Sequence, residues 1–253
     1  MLIHDEKTCW VVDLGLIAYG SACELQGQIV EARKANAIPD VLLFCEHPHV
    51  ITLGRNGNMN HLRASQRVLE RMNVELRLSD RGGDITYHGP GQIVAYPILD
   101  LAQHRRDIRW YVEQLEEVMI QTTKDFGVAS KRVEGVHGAW IDGVANEEKI
   151  GALGVHISRW VTSHGLAYNV CSDLRYFDLI VPCGIEGKRV TSLERVLGRR
   201  IGVYEVRDRL ASHFSVVFNR NLQQITHAQL AESLRLARET VPGALTRHHS
   251  FIS

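Results

Sequence analysis

A mixed β-sheet flanked by helices, of the α/β (α+β) class, is the fold this sequence predicts. Three observations lead there. Short Val-, Leu- and Ile-rich runs alternate with a stretch of helical period in the N-terminal half. Between Trp140 and Val170 come apolar, glycine-punctuated runs that read as consecutive strands. From about Ser192 onward the pattern is mostly amphipathic helix, which needs a sheet or other helices to cover its apolar stripe.

Trp10-Val-Val-Asp-Leu14 reads as a strand, and the segment from about Leu16 to Lys34 carries Ala18, Leu25, Ile29 and Val30 at helical spacing. Val41-Leu-Leu-Phe-Cys45 and Val50-Ile-Thr-Leu53 read as two strands joined by a turn at Pro48. Asp107 is placed to cap a helix whose stripe runs through Ile108, Tyr111, Val112, Leu115, Val118 and Met119. Lys149 to Ile157 and Val161 to Asn169 form the strand-like pair, and helices are expected near Tyr204 to Phe218 and His227 to Arg238.

At 253 residues the chain is long enough for a full core, and it shows no repeat, low-complexity run or linker, so residues 1–253 are expected to form one domain. Apolar residues at 45% and charged residues at 23% fit an ordinary globular protein. Twenty-nine basic side chains balance 29 acidic ones, which leaves no global footprint for nucleic acid or an anionic membrane. The pairs Arg105-Arg106, Lys131-Arg132 and Arg199-Arg200 read as solvated faces. No stretch approaches the ~20 apolar residues of a membrane span, and the first residues do not resemble a secretion signal. Five cysteines at irregular spacing do not form a disulfide framework. A reducing, cytoplasmic setting is expected, in which a thiol can serve as a reagent.

Arg81-Gly-Gly-Asp-Ile-Thr-Tyr-His-Gly-Pro-Gly-Gln92 is the most unusual stretch, reading either as a ligand-binding loop or as a glycine-rich turn around a buried His88. It matches neither common nucleotide fingerprint. Lys149 opens Lys-Ile-Gly-Ala-Leu-Gly154, where it either marks a strand end or faces a ligand; the small residues Gly151, Ala152 and Gly154 allow a close approach. Cys183 lies between Pro182 and Gly184, at a turn, unlike the other cysteines. Cys45, His47 and His49 have the alternation of metal ligands on a strand, but Pro48 interrupts it and no fourth ligand follows, so no metal site is expected. Cys171 reads as a bystander at a strand end.

These segments resemble, in order, the blocks of the bacterial lipoyl(octanoyl) transferase family. They are Glu46-His-Pro-His-Val-Ile-Thr-Leu-Gly-Arg55, the Arg81 to Gln92 stretch, Lys149 to Gly154, Ser163-His-Gly-Leu-Ala167 and Tyr176-Phe-Asp-Leu-Ile-Val-Pro-Cys-Gly-Ile185. The resemblance covers about residues 8 to 218 and implies the fold shared with lipoate and biotin protein ligases. It further implies transfer of an octanoyl group from octanoyl-acyl carrier protein to a lysine of lipoyl domains, those of 2-oxoacid dehydrogenases and the glycine cleavage H protein. Carried over by position, Cys183 becomes the acyl-accepting thiol and Lys149 its acid/base partner. Arg81, Gly82, Gly83, Asp84, Ile85, Thr86, Tyr87 and His88, with Ala152, Leu153, Gly154, Gly165, Leu166 and Ala167, become the acyl pocket.

Chemically, a thiol is mostly protonated at neutral pH, and an ammonium beside it favours the thiolate that attacks a thioester. The thioester itself supplies the driving force, so no cofactor is expected. Leu153, Leu166 and Tyr87 are expected walls of the pocket, with Arg81 and His88 steadying its loop or guiding the polar end. Two other readings compete: an ATP-dependent lipoate-protein ligase, which needs no thiol, and a non-catalytic module that binds acyl groups or lipoyl domains.

Overall fold

The computed structural model describes residues 5, 7–143, 146–182 and 189–240. Strand β1 (Thr8–Leu16) sends Cys9 and Val11 to one side and Trp10 and Val12 to the other, all buried, as expected for a strand covered on both faces. Helix α1 (Tyr19–Lys34) starts later than the periodicity suggests, because β1 runs on to Leu16 and the Ile17 amide donates to the Glu46 carbonyl at 3.0 Å. It carries the chain over to β2 (Asp40–Glu46), parallel to β1.

The two apolar runs around Pro48 are indeed strands, but they belong to different sheets. Strand β3 (Val50–Leu53) leaves the main sheet and pairs with β4 (Glu75–Leu78) and β5 (Ile85–His88), with α2 (Gln66–Arg71) between β3 and β4. Strand β6 (Gln92–Ile98) returns antiparallel to β2. Helix α3 (Ile108–Asp125) begins where expected, with the Asp107 carboxylate accepting from the Trp110 amide at 3.0 Å.

An antiparallel meander follows: β7 (Lys131–Val133), β8 (Val136–Asp142), β9 (Glu147–Ser158) and β10 (Val161–Asn169). The tight β9–β10 turn places Arg159 and Trp160 at φ 51° and 68°, the left-handed pair whose twist matches that of the flanking strands. Strand β11 (Arg189–Val190) then lies parallel on β9. Helices α4 (Leu193–Leu197) and α5 (Val203–Phe218), strand β12 (Asn221–Gln224) and helix α6 (His227–Thr240) complete the described chain.

The main sheet runs β12-β1-β2-β6-β10-β9-β8-β7, with β11 attached to β9. One face packs under α3 and α5 through Leu115, Met119, Leu210 and Phe214; the other packs under α1 and α6 through Ile29, Leu230 and Leu234. The small sheet has its own cluster around Ile51, Leu69, Tyr87 and Phe177. At the main sheet's β2 end, Asp40 is buried among cations. It accepts from Arg33 and Arg220 at 2.9 Å each and meets His104 at 2.8 Å. Burial pushes the Asp40 carboxyl up, but His104 and Arg33 outweigh it and hold the group down at about 2. Among the described residues no helix is long and apolar enough to cross a membrane.

Candidate active site

A cavity of about 60 Å³ lies between the main sheet and the small sheet's β4–β5 loop and strand β5. Its walls come from Arg81, Gly83, Asp84, Ile85, Thr86 and His88, from Ala152, Leu153 and Gly154 of β9, and from Gly165, Leu166 and Ala167 of β10. These are twelve of the fourteen expected pocket positions. The other two do not reach it. Gly82 turns its amide to the Val155 carbonyl at 2.9 Å, and Tyr87 faces the small sheet's core, its hydroxyl 2.7 Å from His49 Nδ1 and its ring stacked on Tyr176. Alternation along β5 causes this: Thr86 and His88 share the cavity side, so Tyr87 must point away. Tyr19, Val94, Tyr96 and His164 also line the cavity. They come from three separate elements; His164 falls within the Ser163 to Ala167 block, and no local motif marks the other three.

Arg81 is buried, and its guanidinium is spent on the protein itself. It donates to the Thr52 hydroxyl from Nε (3.1 Å) and Nη2 (2.9 Å), and to the carbonyls of Thr52 (2.7 Å), Asp84 (2.7 Å) and Gly82 (3.0 Å). Of the two roles expected for it, steadying the loop is the one this geometry provides. Gly154 is where that loop meets β9: a Cβ there would sit 2.7 Å from the Gly82 carbonyl oxygen. The Asp80 carboxylate accepts from His164 Nε2 at 2.7 Å and ties the start of the loop to β10. Gly151, in contrast, is not open to a ligand, because its Cβ position is occupied by the Met119 sulfur of α3.

His47 and His88, beside the cavity, are neutral at neutral pH. His47 Nδ1 donates to the Ile17 carbonyl at 2.7 Å, so Nε2 accepts from the Tyr96 hydroxyl at 2.7 Å. His88 Nδ1 donates to Gln92 Oε1 at 2.7 Å, while Gln92 Nε2 donates to Asn169 Oδ1 at 2.9 Å and Asn169 Nδ2 to the Thr191 carbonyl at 3.0 Å. Burial lowers the pKa of His47, and burial together with the His47 charge lowers that of His88 to about 3.

An acid sensitivity follows from linkage. An unfolded histidine takes up a proton near pH ~6.5, whereas the folded protein refuses one at His88 until about pH 3. Stability from this source is therefore full above pH ~6.5 and falls as the pH drops, at up to ~1.4 kcal/mol per pH unit for each such histidine. Asp40 adds a loss in the same direction only as the pH falls through its ordinary value of 3.8 toward about 2. Urea midpoints are expected to fall between pH 7 and pH 5, and His88→Gln is expected to flatten that slope; an unchanged slope would remove His88 as its source.

Lys149 is the third residue of β9, in the body of the strand and buried, so the reading of an exposed strand end is corrected. Its Nζ lies 4.6 Å from the centre of the Trp140 ring on β8. On its other side Val190 of β11 pairs with it, and the Thr191 amide donates to its carbonyl at 2.9 Å. The pocket wall 152–154 is thus the continuation of the same strand. Cys183 lies outside the described residues. The chain before it is anchored where the Val181 amide donates to the His61 carbonyl at 2.7 Å, and His61 in turn is held by the Asp84 carboxylate of the pocket loop.

The four described cysteines are all pushed toward the protonated thiol. Burial raises Cys9 and Cys45 well above the ordinary range and Cys23 to about 12, and partial burial followed by the charge of Glu194 raises Cys171. Among the described residues no group of three His, Cys, Asp or Glu side chains is placed to hold a metal ion. Pro48 separates the candidate ligands, with His47 turned to Ile17 and Tyr96 and His49 turned to Tyr87 and Tyr176.

The family described as lipoyl protein ligase A/B catalytic domain matches residues 18–215. An octanoyltransferase of Solibacter usitatus is 48% identical over 213 residues, covering 84% of this chain and 94% of its own length. One of Cytophaga hutchinsonii is 43% identical over 239 residues, covering 88% and 98%. Among solved structures, a bipartite lipoate protein ligase of Thermoplasma acidophilum aligns with a TM-score of 0.69 at 17% identity, over 93% of this chain and 92% of that one. A lipoate-protein ligase A bound with ATP aligns equally well, at 0.69 and 16% identity over 93% and 94%. These likenesses confirm the expected fold, and the family match with the two octanoyltransferases settles the kinship: the chain belongs to the lipoyl protein ligase A/B catalytic-domain family and is an acyltransferase.

Proposed function

We propose that this protein moves an octanoyl group from octanoyl-acyl carrier protein to a lysine of lipoyl domains, in lipoate synthesis, through a thioester on Cys183 with Lys149 as acid and base. The whole chain acts as one catalytic unit in the cytoplasm, where its thiols stay reduced. One observation carries the reading: a buried lysine and an uncharged, largely apolar pocket wall lie on a single strand, β9. The raised thiols of the other cysteines support Cys183 as the nucleophile.

In the first half-reaction the Cys183 thiolate, paired with the Lys149 ammonium, attacks the thioester carbonyl. The carbon–sulfur bond to the carrier breaks, and Lys149 gives its proton to the departing carrier thiol. Lys149 is then a neutral amine. In the second half-reaction the acceptor lysine, also neutral, attacks the Cys183 thioester. Lys149 takes the proton released as the amide forms, which restores the thiolate–ammonium pair. Protons and charges balance over the cycle, and no ATP enters.

Ala152 and Ala167 face each other across β9 and β10, both at the cavity wall. The space between sheet and loop is narrow, so enlarging either residue should shorten the chain that fits. Ala167→Leu is expected to lower kcat/KM for an octanoyl donor relative to a hexanoyl donor by about fourfold per methylene excluded, at ~0.8 kcal/mol each. Unchanged chain preference would place the chain elsewhere.

The reading as a whole is tested by intact mass spectrometry after mixing with octanoyl-acyl carrier protein. A hydroxylamine-labile octanoyl adduct is expected on Cys183 and not in Cys183→Ala. Transfer that requires ATP would support the ligase reading instead, and absence of any adduct or turnover would support a binding module.

A further inference from the structure

Although charge cancels over the whole chain, unpaired arginines concentrate in one place. An open cleft of about 540 Å³ is lined by Arg195, Arg199 and Arg200, together with Cys171, Ser172, Asp173, Leu174 and Glu194. All three arginines are exposed, and none makes an ion pair or side-chain hydrogen bond with another described residue. Arginines elsewhere commonly do: Arg132 reaches Glu116 and Glu117, and Arg235 reaches Glu232 and Glu239. Gly198, at φ 64°, ends α4 and starts the turn that presents Arg199 and Arg200.

The cleft adjoins the reaction centre of the proposed function. Ser192 lines it, and the preceding residue, Thr191, donates its amide to the Lys149 carbonyl. Across the 3-10 turn 174–179, whose Leu174 lines the cleft and whose Phe177 packs in one cluster with Leu69 of α2, stand three more exposed arginines with no ion pair among the described residues, Arg63, Arg67 and Arg71. Two such basic groups therefore flank the segment that leads to Pro182.

We propose that this arginine-lined cleft docks the acidic protein that carries the acyl thioester. The inference rests on the transfer reaction proposed above and assigns a surface to its donor. The cleft is wide, and two carboxylates share its lining, Glu194 and Asp173, the latter paired with Arg175, which suits an extended acidic protein surface better than a socket for a small anion. The acceptor fits it poorly, since it must present a lysine, whose ammonium three unpaired arginines repel. A carrier whose acyl arm hangs from a phosphodiester brings negative charge right up to the point of delivery.

The test is binding of fluorescently labelled octanoyl-acyl carrier protein to the full chain carrying Cys183→Ala, which blocks acyl transfer, with and without the triple change Arg195→Gln, Arg199→Gln, Arg200→Gln, at low and high salt. Turnover of octanoyl-pantetheine, which has neither protein nor phosphate, is measured in parallel with Cys183 in place. The expected result is a carrier Kd raised at least tenfold, a flattened salt dependence, and small-thioester turnover within twofold of the parent. A carrier Kd within twofold of the parent would overturn the assignment. So would an equal loss of affinity for a lipoyl domain, or an equal loss of small-thioester turnover. Because binding is read without chemistry, failure of the acyl-enzyme reading would show in the adduct experiment and leave this result distinct.

Discussion

Lys149→Ala is expected to lower octanoyl transfer by about 10²- to 10⁴-fold, the usual cost of losing a positioned acid/base group, with little change in carrier binding. Lys149→Arg separates the two duties of this side chain. An arginine keeps the positive charge that favours the Cys183 thiolate but does not take up a proton as a neutral amine does. Release of carrier thiol loses its proton donor, but a thiolate can depart unprotonated beside the retained charge, whereas the attacking amine must shed a proton. Release should therefore survive better than transfer to the lipoyl domain, and the acyl-enzyme should accumulate. Rapid-quench measurement of thiol release beside the mass of the lipoyl domain reads both steps. Turnover within a few fold of the parent in Lys149→Ala would remove the lysine from the chemistry, and equal losses in both steps for Lys149→Arg would remove the division of roles.

Asp40→Asn is expected to be the most damaging change away from the site. The carboxylate is 2% exposed and answers two buried guanidiniums, Arg33 and Arg220, while also accepting from the Asp100 amide at 3.1 Å. Neutralising it leaves buried Arg220 without its acidic partner and Arg33 with only the Asp100 carboxylate at 3.8 Å, a loss of about 3–5 kcal/mol. For a chain of this size that corresponds to a fall in Tm on the order of 10 °C. Calorimetry on the variant checks this, and a shift below about 2 °C would mean that water or rearrangement makes good the lost charge.

How far the residues alone reach can be judged element by element. Strands with apolar side chains on both faces, such as β2 and β10, and the capped helix α3 announce themselves because their burial is written in their composition. Strands β4 and β12 do not. They lie at sheet edges with mostly exposed side chains; the Asn-Leu-Gln-Gln of β12 has no apolar period, and the Glu-Leu-Arg-Leu of β4 alternates over only four residues, too few to stand out. The change of sheet at Pro48 is equally hidden, since a turn looks the same whether the next strand pairs with the last or with another. Burial of Lys149 depends on β8 and β11 lying on either side of it, which is tertiary information.

At the cavity, most of the wall was legible through a resemblance of motifs, not through periodicity. Tyr87 shows the difference: as part of a motif it counts as wall, whereas as the third residue of a four-residue strand it must face opposite to His88. The small residues of β9 carry a similar lesson. Gly151 and Gly154 look equivalent in sequence, yet one makes room for a methionine and the other for the loop backbone.

The pairing of β1 with β12 also bears on how the chain reaches this structure. Thr8 lies beside Asn221, and Arg220 next door supplies one of the two guanidiniums on Asp40. During synthesis the first strand must therefore wait, with one edge open, until nearly the whole described chain has left the ribosome. Closing so long a loop adds little to the equilibrium cost, because that cost grows only with the logarithm of length, but contacts of such sequence separation slow the search for them. In the waiting interval Asp40 has Arg33 alone as its nearby guanidinium, and the exposed β1 edge is an invitation to pair with another nascent chain.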